Sequence, residues 1–84
     1  MQGYKVLLIV SYKASARDPE GETIAHELRS LGHEKVVSVR AGKAFLFEVK
    51  AESEEDAIES VTRIASETKL YNPSVHEVKV IRVA

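Results

Sequence analysis

From Tyr4 to Lys13 the even positions Tyr4, Val6, Leu8, Val10 and Tyr12 are apolar or aromatic, while the odd positions set Leu7 and Ile9 among Lys5, Ser11 and Lys13. Period-two alternation predicts a β-strand, here one whose second face is also partly apolar. The period then changes. Ile24, Leu28 and Leu31 recur at helical spacing behind Asp18-Pro19-Glu20-Gly21. Asp18 is placed to cap orphan amides, and Pro19 takes the first helical position, where its missing N–H is not needed. A helix from Pro19 to about Leu31 is expected, with this stripe facing inward and Gly32 ending it in the left-handed conformation.

Val36 to Arg40 is short and β-branched, and Ala41-Gly42 separates it from a second alternating run, Lys43 to Lys50. The pair reads as a β-hairpin, with Phe45, Phe47 and Val49 on one face of the second strand and Ala44, Leu46, Glu48 and Lys50 on the other. Ser53 followed by Asp56 is a capping-box pattern, and Glu54 and Glu55 set negative charge against the positive end of a helix dipole. The helix they start carries the stripe Ala57, Ile58, Val61, Ile64 and Ala65. Asn72-Pro73 breaks any helix continuing past Leu70, because the residue before a proline is pushed out of helical geometry. Val75 to Val83 reads as the last strand. The order β-α-β-β-α-β predicts one α+β domain over residues 1–84, of the ferredoxin-like kind, with a four-stranded antiparallel sheet and both helices on one face.

One sheet face is then uncovered. Leu46 and one apolar set of the first strand would meet water, which favours dimerisation or docking over a reading in which they are scattered among charges. Length points the same way. A chain of 84 residues buries only about 60 to 65% of the surface its unfolded form exposes, and it has no cysteine to cross-link it. The formal net charge of −1 lacks the basic surplus of a protein that neutralises nucleic-acid phosphates. With no apolar run of membrane-spanning length and no signal-peptide pattern ahead of the first strand, a soluble cytoplasmic protein is expected.

Candidate chemistry is sparse. Gly42-Lys43 suggests a phosphate loop, but Ala44 stands where Ser or Thr is needed and a strand begins where a helix should, so a turn glycine beside a solvated lysine accounts for it better. His26 and Glu27 lie on the first helix, His33 beyond it and His76 on the last strand, and no two histidines have the spacing of a metal-binding pair. Glu52, Glu54, Glu55 and Asp56 could attract a cation, yet cap and dipole roles absorb most of them. Lys43-Ala44-Phe45-Leu46-Phe47 echoes the base-stacking strand of an RNA-recognition motif, although a core-facing strand alternates in the same way. Arg17 and Asn72 are the nominal candidates for a small hydrolase.

Taken together, Arg17-Asp18-Pro19-Glu20-Gly21-Glu22-Thr23-Ile24, Leu31-Gly32, Val39-Arg40-Ala41-Gly42-Lys43, Ala51-Glu52-Ser53-Glu54-Glu55-Asp56-Ala57 and Leu70-Tyr71-Asn72-Pro73 resemble the PurS subunit family of phosphoribosylformylglycinamidine synthase. The resemblance spans essentially the whole chain. It departs near the end, where His76 and Val78 stand in place of the family's usual glutamate and aromatic residue.

The resemblance implies a non-catalytic component of the fourth step of purine biosynthesis. In such complexes a glutaminase subunit releases ammonia, and a large subunit uses ATP and Mg²⁺ to activate the amide oxygen of formylglycinamide ribonucleotide, which ammonia converts to the amidine. The small subunit, as a homodimer or higher oligomer, bridges the two and helps to couple them, with no cofactor of its own. On this reading Asp18, Pro19 and Gly21 shape the start of the first helix, and Arg40, Gly42 and Lys43 form a charged hairpin that meets a partner subunit. Asn72 and Pro73 fix the turn into the last strand. Glycine within a first helical turn costs stability, so Gly21 is further expected to admit the backbone of a partner. A ligand-sensing or RNA-binding ferredoxin-like module is the alternative.

Overall fold

The computed structural model describes residues 1–84 as five elements: β1 (Gln2–Tyr12), α1 (Pro19–Ser30), β2 (Gly42–Ala51), α2 (Glu54–Glu67) and β3 (His76–Arg82). β1 is the central strand of an antiparallel sheet ordered β2-β1-β3. Leu7 faces Leu46 on one side and Ile81 on the other. The architecture is α+β, as the hydrophobic pattern predicts.

The expected four-stranded sheet is not what forms. Val36 to Arg40 joins no ladder, and the sheet has three strands. Only Ala41 separates this segment from β2, one residue fewer than the loop of a tight hairpin. Its polar groups are also engaged elsewhere. The Val36 amide donates to the His33 carbonyl, Arg29 Nη1 reaches the Val37 carbonyl at 3.4 Å, and the Arg40 guanidinium turns back to the β1–α1 loop. Local valine content favours a strand, but these bonds pull the segment across to α1 instead of alongside β2.

The core lies between the sheet and α2 alone. Val6, Leu8 and Val10 of β1, Ala51, and Ala57, Val61 and Ala65 of α2 form one buried cluster, with Phe45, Phe47, Val78 and Val80 packed against it. These are the inward positions that the period-two and helical patterns assign. α2 starts as the capping box requires: Ser53 Oγ accepts the Asp56 amide at 3.1 Å. The return bond differs by one residue, since Asp56 Oδ2 accepts from Glu52 rather than from Ser53.

α1 departs from the expected packing. None of its residues approaches a strand within 8 Å between Cα atoms, so it does not cover the sheet of its own chain. Of its stripe, Ile24 is 37% and Leu31 75% exposed, whereas the buried positions are Gly21 and Ala25. The helix itself is well made. Gly32 at φ +96° ends it, the Gly32 amide bonding the Arg29 carbonyl and the His33 amide the Leu28 carbonyl, the two bonds of a Schellman ending. With α1 standing off, the molecule measures 50 × 27 × 14 Å with a radius of gyration of 15.9 Å. A spherical domain of this length would have about 12 Å.

Candidate functional site

β1 ends, and β2 and β3 begin, at one end of the sheet, where Ser11 pairs with Gly42 and Tyr12 with His76. The β1–α1 loop, the start of α1 and the turn after α2 meet there as well. Three landmarks of the sequence, Asp18–Gly21, Val39–Lys43 and Leu70–Pro73, therefore converge on one end of the molecule.

Asp18 organises the first junction. Its residue is 2% exposed, and its carboxylate takes two backbone amides from opposite directions. Oδ1 accepts from Gly21 at 3.0 Å, capping α1, and Oδ2 accepts from Ala41 at 2.7 Å, just before β2. The Gly21 amide, then the Ala41 amide, and then the Arg40 guanidinium hold the carboxyl below the ordinary aspartate value of 3.8, against the opposing effect of burial. Arg40 donates from Nη1 to the Ala16 carbonyl and from Nη2 to the Ala14 carbonyl, both at 3.1 Å. Asp18 and Arg40 thus tie the same two segments together from opposite sides.

Gly21 is explained within the chain. A Cβ there would collide with the Val39 carbonyl oxygen and the Asp18 carboxylate. The close backbone expected from a partner is the chain's own Val39. Gly42 has a parallel explanation and is not a hairpin-turn residue, since a Cβ would strike the Val10 carbonyl of the neighbouring strand. Between α1 and residues 37–40 runs a cleft of about 450 Å³, lined by Arg17, Arg29 and Arg40 together with Asp18 and Glu22. Arg17 pairs with Glu22 at 3.2 Å on the surface.

The second junction is the turn after α2. Asn72 Oδ1 accepts the Ser74 amide at 3.0 Å, and the Asn72 carbonyl accepts from Val75 and His76. Pro73 sits at the corner of this turn, and the Lys13 amide fastens it to β1 through the Val75 carbonyl at 2.9 Å. Lys43 projects at the start of β2 and shares a recess of about 180 Å³ with Glu20, Tyr12, Leu70 and His76. Asn72 and Arg17 border different clefts, so the arrangement a small hydrolase would need does not form.

Sequence reasoning assigns Asp18 a cap but misses its second bond, to Ala41, 23 positions away. It also misses the structural use of Arg40 and the place of His76 beside Tyr12. A capping carboxylate followed within one turn by a helical glycine was the available clue, since that glycine implies a close neighbour.

A sequence model of the PurS family, described as phosphoribosylformylglycinamidine (FGAM) synthase, matches residues 5–83. The chain is 42% identical over 77 residues to phosphoribosylformylglycinamidine synthase subunit PurS of Thermotoga maritima, covering 92% of this chain and 93% of the relative. It is 33% identical over 82 residues to the subunit of the same name from Methanocaldococcus jannaschii, covering 95% and 98%. Among solved structures, a chain in the structure of PurLQS from Thermotoga maritima superposes with a TM-score of 0.82 at 37% identity, over 99% of this chain and all of that one. With this agreement along its full length in both sequence and fold, the chain belongs to the PurS family of phosphoribosylformylglycinamidine synthase.

Proposed function

We propose that this chain is the small subunit that bridges the glutaminase and ATP-dependent synthetase subunits of a phosphoribosylformylglycinamidine synthase complex. The observation that carries the reading is the end-to-end match to the chain found within PurLQS. In this role it takes part in the glutamine- and ATP-dependent conversion of formylglycinamide ribonucleotide to the amidine in purine biosynthesis, and it contributes no catalytic side chain. ATP and Mg²⁺ are used by the large subunit. The work is done in the cytoplasm; no helix of the chain is long and apolar enough to cross a membrane.

The unpacked parts of the fold suit an adaptor. α1 leaves its own sheet, exposing Ile24 and Leu31, and the sheet face away from α2 presents Leu46 and Ile81 in one row with Leu7. Contiguous apolar surface of this kind is stable in water when another chain covers it. A homodimer in which each copy covers these surfaces of the other gives each sheet its second layer, and the free edge of β2 is where a fourth strand would be added. At the other end, Pro19, Arg40, Gly42, Lys43, Asn72 and Pro73 form the surface offered to the larger subunits, and the buried Asp18 and Gly21 hold that surface in shape from beneath. Excluding water from the assembly keeps ammonia from protonation on its way between active sites.

Reconstitution tests the proposal. Mixing the large and glutaminase subunits with and without this chain should show that glutamine-dependent amidine formation requires it, while ammonia-dependent formation by the large subunit depends on it less. Equal glutamine-dependent rates in both mixtures would overturn the bridging role. Sedimentation of the isolated chain as a monomer at assay concentration would remove the dimer from it.

A further inference from the structure

His76 and Asn72 are joined by a reciprocal pair of hydrogen bonds. The His76 amide donates to the Asn72 carbonyl at 2.8 Å, and the Asn72 amide donates to His76 Nδ1 at 3.0 Å. A backbone amide can only donate, so Nδ1 must be unprotonated, and the proton of the neutral ring sits on Nε2. The ring also lies 4.9 Å from the Tyr12 ring between centroids, tilted by 49°. His76 is half-buried and borders both the 180 Å³ recess and the larger cleft beside Asn72 and Pro73.

We propose that His76 is a proton-sensitive clasp on the Leu70–Pro73 turn: neutral, it holds the Asn72 amide; protonated, it releases that amide and loosens the turn at the end of the molecule where the three landmarks meet. Protonation places an Nδ1–H against the Asn72 N–H, two donors with no acceptor between them, and that bond is lost. The other bonds of the turn involve only Asn72 and backbone amides and survive, so the change is a local loosening and not an unfolding. Tyr12 keeps the imidazolium nearby, because a cation is attracted to an aromatic face. The other titratable groups lining the two recesses that His76 borders are Glu20, Lys43, Lys69 and Tyr71. The geometry fixes the consequence of the second proton: a ring that carries it on Nδ1 cannot accept the Asn72 amide.

Nuclear magnetic resonance of the full chain from pH 5 to 8 tests this directly. Three results are expected: ring ¹⁵N shifts with Nδ1 unprotonated at neutral pH; an Asn72 amide shift that titrates in step with His76; and an Asn72 protection factor, corrected for intrinsic exchange, that falls about fivefold on the acid side. In His76→Gln, whose side-chain oxygen accepts without titrating, the Asn72 amide should lose its pH dependence. Nδ1 carrying the proton in the neutral ring, or an Asn72 amide that stays fixed while His76 titrates, overturns the proposal, and both are read on the unaltered chain.

Discussion

The Asp18 carboxylate accepts the Ala41 amide at 2.7 Å, so the residue that starts α1 also fixes the residue that leads into β2. Because no Cα of α1 lies within 8 Å of a strand, this bond and those of Arg40, with the Arg29–Val37 bond beside them, set where the helix stands. Whatever α1 presents to another subunit is aimed chiefly by this charged junction.

That junction makes stability depend on acid. The folded chain holds the Asp18 carboxyl below its ordinary value of 3.8, chiefly through the Gly21 and Ala41 amides. A carboxyl with a lowered folded value contributes stability that is complete above the unfolded value and is lost as pH falls through the folded one. Urea unfolding followed between pH 7 and pH 2 should therefore show a loss beginning near pH 4 and growing below it. Asp18→Asn, which removes the charge and sets an amide NH₂ or a single acceptor against two backbone donors, should be less stable than the natural chain at pH 7. Its deficit should shrink toward pH 2. A constant deficit across the range would show that the Asp18 charge contributes nothing.

Gly21→Ala reverses the usual sign of a glycine replacement in a helix. Alanine normally stabilises such a position by about 0.4 to 1 kcal/mol. Here the new methyl meets the Asp18 carboxylate, held by two amides, and the Val39 carbonyl, whose neighbours Arg40 and Ala41 are hydrogen-bonded in place. Forcing that contact should cost about 1 to 3 kcal/mol, read as a lower urea midpoint. Gly3→Ala is the control, because no atom lies within 4 Å of its would-be Cβ, and its midpoint should hold or rise slightly, as an unhindered glycine replacement does.

The parts of this fold legible in the sequence are those governed by nearest neighbours and by periodicity. β1, β2, α2 and β3 alternate or repeat as their packing requires, and Ser53, Gly32 and Asn72 each make the local bond their residue type suggests. The illegible parts rest on long-range bonds. Val36 to Arg40 has the composition of a strand, but a single residue is left for a hairpin loop, and its engagement with Arg29, Ala14 and Ala16 holds it away from the sheet. The stripe Ile24, Leu28 and Leu31 shows that α1 needs an apolar partner, but amphipathicity carries no information about which surface, or which copy of the chain, supplies it. The landmark residues could be found in sequence, but their convergence on one end of the sheet depends on the register of β1 with β2 and β3.

With α2 the only helix on the sheet, the core has little redundancy. Val61 is fully buried with Val6 and Leu8. Val61→Ala removes two methyl groups where little can collapse to fill the space, and it should cost about 2 to 3 kcal/mol. In a domain of this size that is a fall of about 10 to 20 °C in Tm, measurable by circular dichroism at a fixed protein concentration. Thr62→Ala, on the exposed side of the same helix, should stay within about 0.5 kcal/mol of the natural chain.

Arg40 and Lys43 stand close together in the chain and are expected to act differently in assembly. Arg40 spends its guanidinium on the Ala14 and Ala16 carbonyls, whereas the exposed Lys43 has no carboxylate within ion-pair distance. Arg40→Ala should lower the stability of the isolated chain by about 1 to 2 kcal/mol, the loss of two hydrogen bonds to a charged donor moderated by exposure. It should weaken complex formation as a consequence, by letting α1 shift. Lys43→Ala should leave the urea midpoint of the isolated chain unchanged and still reduce its affinity for the larger subunits, with the loss shrinking as salt is raised. Titrating each variant into the two larger subunits at low and high salt separates the cases. If Lys43→Ala assembles with unaltered affinity at low salt, the ammonium is ordinary surface charge, and the interface at this end is shaped by the Asp18–Arg40 junction instead.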